Sequence, residues 1–325
     1  MDALSDVLRA VRLTGAIFFD VHASGPWVAE TPQGKSIVGA MFPGSEHLIS
    51  YHVITEGQCW ASVPGEAPMQ LSKGDIIVLP HGDTHVLSST PGLRKSPNME
   101  MYRMPSDRRL PISISISMGD DQGQPAAHFV CGFLGCDSRP YNPLLAALPR
   151  VFRISEQAGG SLSAYVQFAL AESSEPRMGR QEVLGRLSEL MFIDVVRRYL
   201  EALPADRTDW LAGLRDPLIG RALSALHRNA ARDWTIELLA RHVGSSRSTL
   251  AERFTQFVGH PPMQYLTNWR MQLATNDLLG GTDSIAVIAN RVGYESEAAF
   301  SRAFKKVVGD PPSQWRRARH QDGNG

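Results

Sequence analysis

The first 150 residues contain short hydrophobic runs separated by Gly, Pro and Asp, a pattern typical of β-strands and turns. The runs that predict strands cover residues 48–54, 76–79, 112–117 and 128–134. Residues 112–117 alternate Ile and Ser strictly, so this strand is expected to bury one face and leave the other polar. Many short strands of this kind favour a sandwich or a small barrel.

After residue 161 the hydrophobic positions recur at helical spacing instead. The pattern predicts helices over residues 162–172, 181–203, 210–215 and 218–228, with a connector at 203–209. An apolar helix face of this kind either pairs with a second subunit or docks on the β-rich domain. Of the two, we favour a homodimer interface in this middle region.

Between Ile236 and Trp315 the chain repeats one pattern at an interval of about 50 residues. Both copies contain an Ala-x-x-x-Gly turn, a Phe four residues after another large hydrophobic residue, and a Gly-x-Pro-Pro end. The residues that stand where helix N-caps belong are Thr235, Ser246, Ser284 and Ser296. Residues 263–279 predict one linking helix between the copies. A duplicated helix–turn–helix of this kind is a DNA-binding module.

The second helix of a helix–turn–helix lies in the major groove, so its outward face decides which bases it contacts. Two triplets are expected to face inward: Leu250, Phe254 and Phe257 in the first copy, and Phe300, Phe304 and Val307 in the second. The outward sets that we predict to contact DNA are Arg247, Ser248, Ala251 and Glu252, then Glu297, Ala298, Ser301, Arg302 and Lys305. Arg suits guanine, Glu suits cytosine, Ala suits the thymine methyl group, and Ser suits several partners. Lys306, Arg316, Arg317 and Arg319 are better suited to phosphates.

Composition and charge agree with this interpretation. The net charge is zero, yet residues 215–320 hold 15 Lys/Arg against 9 Asp/Glu, so the basic third of the chain is the predicted DNA-binding part. The sequence has no run of about 18 apolar residues, so no membrane span is predicted. The acidic N-terminus lacks the basic segment followed by an apolar segment that a signal peptide has. Three cysteines are too few for a secreted disulfide framework. We therefore expect a cytoplasmic protein that does not associate with membranes.

The repeat and the residues named above resemble the AraC/XylS family of bacterial transcription regulators over residues 215–320. The resemblance implies binding to double-stranded promoter DNA, a small-molecule effector, and activation through contact with RNA polymerase. It also implies base contacts from the two outward sets. One departure concerns Glu252, where the family often has Arg. Here the Arg stands at position 253 and is expected to turn aside.

Gly74, Pro80, Gly82 and His85 fit the second cupin motif, G-x5-P-x-G-x2-H, which predicts a strand, a turn and a returning strand. The chain is thus similar to AraC-type regulators with a cupin-type sensor domain. The predicted fold is α+β and multidomain. It comprises a cupin-like β-barrel sensor domain at 1–150, a helical linker or dimerisation region at 151–214, and an all-α double helix–turn–helix domain at 215–325.

Catalytic cupins hold a metal with a His-x-His pair, a Glu and the His of the second motif. Around the first motif this chain has His47, His52 and Glu56 but no His-x-His pair, which disfavours an oxygenase site. A different set, His81, His85, Cys131 and Cys136, has the residue types of a closed zinc site. The same residues are also compatible with a turn histidine, a buried histidine and two ordinary buried cysteines, and a redox sensor that uses Cys131 and Cys136 is a third option.

The leading hypothesis is a DNA-binding transcription regulator, with an effector or metal bound by the N-terminal domain. The alternative from another class is a metal-dependent cupin enzyme with a helical appendage. A DNA-alkylation repair protein would need a four-cysteine zinc module and an acceptor cysteine, and three cysteines cannot supply them. A DNA-binding dimer with an inert barrel is the remaining alternative.

Overall fold

The computed structural model describes residues 2–103, 110–118, 127–137, 140–155, 160–174 and 177–322. Two compact units emerge. The β unit comprises Leu13–Cys136 and Pro149–Glu201, and the helical unit comprises Met1–Arg12, Asp137–Leu148 and Ala202–Gly325. This grouping differs from the three consecutive regions expected at 1–150, 151–214 and 215–325. The first residues and a short internal segment group with the DNA-binding part, and the middle helices group with the strands.

The strands of the β unit are β1 Thr14–Ala23, β2 Val28–Thr31, β3 His47–Glu56, β4 Gln58–Ser62, β5 Met69–Ser72, β6 Asp75–Leu79, β7 His85–Ser88, β8 Ile112–Ile116, β9 Ala127–Cys136 and β10 Phe152–Ser155. They form a six-stranded sheet in the order β10-β6-β3-β9-β1-β8 and a four-stranded sheet in the order β2-β7-β4-β5. The cupin-like fold is confirmed, although the described strands make two separate sheets rather than one closed barrel. The four predicted strands correspond to β3, β6, β8 and β9.

The helices within the described residues are α1 Ala3–Ala10, α2 Gly34–Met41, α3 Pro143–Ala147, α4 Ser161–Ser174, α5 Arg180–Glu201, α6 Trp210–Arg215, α7 Pro217–Arg228, α8 Ile236–Val243, α9 Arg247–Val258, α10 Pro262–Gly280, α11 Ile285–Arg291, α12 Glu297–Val308 and α13 Pro312–Asp322, with a short 3-10 helix at Met99–Tyr102. The predicted helices are all present. Helices α1, α2 and α3 lie in the region where the hydrophobic pattern predicted strands.

Aromatic side chains fill the core of the β unit. Trp27 is fully buried and stacks on Phe129, with ring centroids 5.3 Å apart. On the outer face of the large sheet, the Tyr51 hydroxyl bonds the Ser188 hydroxyl of α5 at 2.8 Å. Gly132 makes room for Tyr51, because a Cβ there would lie 1.9 Å from the phenol ring. A missing side chain on β9 thus allows α5 to be anchored to the sheet.

All four predicted N-caps of the repeat are confirmed. The hydroxyl of Thr235 accepts a hydrogen bond from the backbone N–H of Leu238, and the three serines cap α9, α11 and α12 in the same way. Each cap satisfies a backbone donor that a helix start leaves without an intrahelical partner. The sequence positions of these polar residues therefore define where the helices of both copies begin.

Helix α10 belongs to the cores of both helix–turn–helix copies. Tyr265 and Trp269 are buried beside the first copy, while Met271 and Leu278 join the cluster of the second. Between them, Arg270 donates hydrogen bonds to the carbonyl oxygens of Ala230 (2.7 Å) and Arg232 (2.8 Å) in the loop before α8. One helix therefore fixes both copies relative to each other.

The turn of the second copy requires glycine for two reasons. Gly293 has a φ of +87°, and a Cβ there would lie 2.5 Å from the carbonyl oxygen of Ala231. Gly244, in the first turn, has a φ of +68°, but a Cβ there would meet no heavy atom within 4 Å. A side chain at Gly244 would therefore add backbone strain alone, whereas a side chain at Gly293 would add both backbone strain and steric overlap.

We predict that Gly293→Ala destabilises the helical unit by about 2–5 kcal/mol, because it adds overpacking to left-handed strain. Gly244→Ala is the matched control and should cost only about 1–2 kcal/mol. Urea unfolding followed by far-UV circular dichroism measures both. Equal losses in the two variants would contradict the close approach of Gly293 to Ala231.

Candidate DNA interface and effector cavity

The first helix–turn–helix is formed by α8 and α9, joined through Gly244 in the left-handed conformation. Leu250 and Phe254 are fully buried, as the spacing predicts. Phe257 is only half-buried, and Val258 fills the inward position in its place. Phe257 lies at the edge of the core beside Gly213 of α6, and Val258, four residues after Phe254, continues the buried stripe.

The predicted base-contacting residues of the first copy lie on the outer face of α9. Arg247, Ser248 and Glu252 are exposed, and Ala251 is half-buried. The guanidinium of Arg247 pairs with the carboxylate of Glu237 at 3.1 Å, which partly neutralises this face. Arg253 turns aside as expected and bonds Asp216 at 2.5 Å, away from the outward set.

The second copy presents a more basic face. The predicted residues on the outer side of α12 are exposed except Ser301, which is half-buried: Glu297, Ala298, Arg302, Lys305 and Lys306. Within the described part of the chain, the structure gives Arg302 no ion pair or hydrogen bond. Its guanidinium is therefore available to a guanine or a phosphate.

The arginines expected to contact phosphates have different surroundings. Arg316 is half-buried and donates to the carbonyl oxygen of Asp283 at 2.7 Å. The guanidinium of Arg319 lies 5.1 Å from the ring centre of Trp315. Arg317 is exposed and bonds the carbonyl oxygen of Ser313. Of the four residues expected to contact phosphates, Arg317 and Lys306 are exposed and thus more accessible to a DNA backbone than Arg316 and Arg319.

In the β unit, the second cupin motif forms the predicted strand, turn and returning strand. Strand β6 ends at Leu79, the turn passes through Gly82 at a φ of +64°, and β7 begins at His85. The turn connects the large sheet to the small one. It places the His85 imidazole between the sheets, where it is 2% exposed.

His85 belongs to a buried chain of hydrogen bonds that ends at Cys131. The carbonyl oxygen of Asp83 accepts from His85 Nδ1 at 2.8 Å, so His85 Nε2 must accept from His52 Nε2 at 2.6 Å. His52 Nδ1 then accepts from the Cys131 thiol at 3.0 Å. All three groups are neutral in this arrangement, because each imidazole has one donor and one acceptor nitrogen.

The pKa values follow from the same burial. Desolvation lowers the pKa of His85 to about 4 and that of His52 well below its usual range. It also raises the pKa of the Cys131 thiol. Burial thus explains why all three groups are neutral and why this thiol is expected to have low reactivity.

The structure does not bring together the four predicted zinc ligands. His85 and Cys131 face the interior beside His52, whereas His81 is exposed in the turn with its ring 6.5 Å from that of His47. Cys136 pairs with His47 across the β3–β9 ladder. Cys131 and Cys136 are five positions apart on one strand, so their side chains point to opposite faces.

The same alternation argues against a disulfide sensor made of these two cysteines. Both are buried and in the thiol form, and five residues of strand place their Cα atoms about 16 Å apart. A disulfide needs about 5.5 Å between Cα atoms, so β9 would have to unfold first.

A cavity of about 60 Å³ adjoins the buried chain of hydrogen bonds. Its walls are mainly aromatic and aliphatic, and its polar groups come from Thr31, His52, Tyr102 and Cys131. This volume is well below the roughly 300 Å³ of a typical small-molecule pocket. The cavity therefore has the composition of a ligand site but the size of a few water molecules.

Comparisons with known proteins agree with this architecture. A cupin family profile matches residues 2–201, and a helix–turn–helix domain profile matches residues 239–318. A protein from Streptomyces lividans described as an AraC-like transcription regulator is 31% identical over 98% of both chains. Another from Streptomyces antibioticus, described in the same words, is 32% identical over 98% of this chain and 99% of its own.

The chain belongs to the AraC-like transcription regulators. A more distant member, the RCS-specific HTH-type transcriptional activator RclR of Escherichia coli (strain K12), is 24% identical over 97% of both chains. DNA binding by the double helix–turn–helix is thus the function of this AraC-like regulator. No helix within the described ranges is long and apolar enough to cross a membrane.

The roles of two residues in this AraC-like regulator are not predicted from its sequence. His52 was considered only as part of a degraded first cupin motif, yet it joins His85 to Cys131. Arg270 was not singled out, although it holds the loop before α8. The position of His52 within a predicted buried strand could have indicated its role. Arg270 contacts backbone carbonyl oxygens, which have no sequence signature.

We predict that the β unit loses stability as the pH falls from about 6.5 towards 4. The folded state keeps His85 neutral, whereas the unfolded chain protonates it near its ordinary pKa of 6.5, so stability is complete above that value. His85 alone should make unfolding about 2 kcal/mol easier at about pH 5 than at about pH 7.

Urea unfolding of wild type and His85→Gln at the two pH values measures this contribution. The variant should lose about 2 kcal/mol less on acidification, and His81→Gln controls for the removal of an imidazole elsewhere. An unchanged pH dependence in His85→Gln would show that this histidine does not carry the effect.

Proposed function

We propose that this regulator is a dimeric transcription activator that binds promoter DNA and is controlled by a small effector in the β unit. The observation that carries the proposal is the pair of outward faces on α9 and α12, held on one linking helix. Support for activation comes from RclR, whose name describes an activator, and activation implies contact with RNA polymerase. The promoter DNA that the regulator binds lies in the cytoplasm, and we therefore place the protein there.

The linking helix supports simultaneous reading of DNA by both copies. Helix α10 has 19 residues, which corresponds to about 28 Å. One turn of B-DNA is about 34 Å, so two recognition helices carried by such a linker fit successive major grooves on one face. The hydrogen bonds of Arg270 to the loop before α8 favour a fixed spacing.

The cavity of the β unit supports an effector that is small and mainly apolar, with one polar group. Polar groups of the lining come from Thr31, Tyr102, His52 and Cys131, and aromatic and aliphatic side chains form the rest. A larger effector would have to enlarge the cavity, and its differential affinity for the enlarged state would shift the population of regulator conformations. This coupling is the physical basis that we propose for regulation.

The outer surface of α4 and α5 supports dimerisation. Large apolar side chains are exposed there: Phe168 is 52% exposed, Leu190 43% and Val183 38%. Val183 and Leu190 lie seven residues apart and therefore share one face of α5. Exposed apolar side chains on adjacent helices are typical of a subunit interface.

We further propose that the chain has no enzymatic activity. Its whole-length relatives are described as regulators. In addition, the inner cluster of two imidazoles and a thiol differs from the His and Glu ligands of catalytic cupins. A metal-dependent cupin enzyme is therefore the weaker interpretation.

We predict that Arg302→Ala weakens binding to the specific site by about 1–3 kcal/mol and relaxes base choice under α12. Arg253→Ala is the matched control. The guanidinium of Arg253 is held by Asp216, so this substitution should leave base choice unchanged. Mapping of bound genomic sites first identifies the operator, and binding to that operator and its single-base variants is then measured. A uniform loss across all sequences would instead identify Arg302 as a phosphate contact.

We predict that Leu190→Glu converts the dimer to a monomer, since a carboxylate buried in an apolar interface loses its hydration. Val287→Glu is the matched control, because Val287 is 47% exposed and lies on α11. Light scattering at micromolar concentration measures the mass of each variant. A wild-type protein that is already monomeric would overturn the proposed dimer.

A further inference from the structure

We propose that Asp20, His22 and His128 form a binding site for a zinc-class divalent metal ion on the outer face of the large sheet. The site is separate from the inner cluster of His52, His85 and Cys131. It is also independent of the effector proposed above.

The register of the sheet creates this cluster. Asp20 and His22 are two residues apart on β1 and therefore point to the same face. His128 on β9 is the direct partner of His22 in the antiparallel ladder. The imidazole rings of His22 and His128 stack with centroids 4.2 Å apart and planes 9° from parallel.

Both imidazoles direct the same nitrogen at one carboxylate. His128 Nε2 lies 2.6 Å from Asp20 Oδ1, and His22 Nε2 lies 3.6 Å from Asp20 Oδ2. One ligand atom from each residue lies within 4.8 Å of the other two. Ligand atoms around a tetrahedral zinc ion are about 3.3 Å apart, so small side-chain movements suffice to surround an ion.

The donor set selects the class of ion. Two imidazoles and one carboxylate suit Zn²⁺ and related transition ions, whereas Mg²⁺ and Ca²⁺ prefer oxygen ligands. The His22 side chain is 54% exposed, against 16% for His128 and 20% for Asp20. An ion therefore has a path from solvent, and a fourth position remains for water.

A second carboxylate lies on the same face. Glu56 on β3 is the register partner of His128 on its other side, and its side chain is exposed. Its carboxylate is not among the ligand atoms that lie within 4.8 Å of one another, so Glu56 would have to move to occupy the fourth position instead of water. A bound ion would join β1 to β9, which are adjacent strands of the six-stranded sheet.

The test is titration of the full-length protein with Zn²⁺, after removal of metals by chelation, in competition with a chromogenic chelator. The variants are His22→Gln, His128→Gln and Asp20→Asn. His22→Gln is the safest of them, because it keeps the hydrogen bond between Asp20 and His128. Controls are His81→Gln and Cys136→Ser, which alter the zinc set suggested by sequence spacing, and Mg²⁺ in place of Zn²⁺.

We expect wild type to bind one equivalent of Zn²⁺ that each site variant loses or binds more than about 100-fold more weakly, since removal of outer-shell groups alone costs 10–100-fold. The two controls should keep this equivalent, and Mg²⁺ should not compete. Equal binding by wild type and His22→Gln, both folded by circular dichroism, would overturn the site. Loss in His81→Gln or Cys136→Ser alone would overturn it in favour of the spacing-based set.

Discussion

The hydrogen bonds of Arg270 with the loop before α8 are the interaction on which the DNA-binding arrangement depends. Burial lowers the pKa of this guanidinium, so the two carbonyl oxygens that it contacts offset a real desolvation cost. The same side chain lies 5.6 Å from the ring of Tyr294, in the turn of the second copy. One cation therefore interacts with parts of both copies and links the loop before α8 to the turn of the second copy.

The linking helix also holds the start of the chain. Gln272 and Asn276 on α10 both donate hydrogen bonds to the carbonyl oxygen of Ala10, the last residue of α1. The chain leaves the β unit at Cys136 and enters the helical unit at Asp137. Strand β9, whose Cys131 lines the cavity, is therefore continuous in sequence with the helical unit.

The sequence predicted the double helix–turn–helix well because its signals are local. Each N-cap hydroxyl bonds a backbone group three residues away, and the Gly244 N–H bonds the carbonyl oxygens of Ala240 and Arg241 in the same helix. The β unit was less predictable, since the pairing of His52 with Cys131 depends on the register of β3 against β9. The predicted strand ended at residue 134. Extending it to Cys136 would have placed the two cysteines on opposite faces and excluded their joint site.

The two copies share a core but differ in the charge of their outward faces, and the difference has a structural origin. In the first copy Arg247 forms an ion pair with Glu237, and Arg253 forms one with Asp216, whose carboxylate also caps α7. These two arginines are therefore already paired with carboxylates of the protein in the absence of DNA. In the second copy Arg302, Lys305 and Lys306 are exposed on α12. The second copy therefore offers the stronger electrostatic attraction to DNA, and the first must discriminate with fewer free charges.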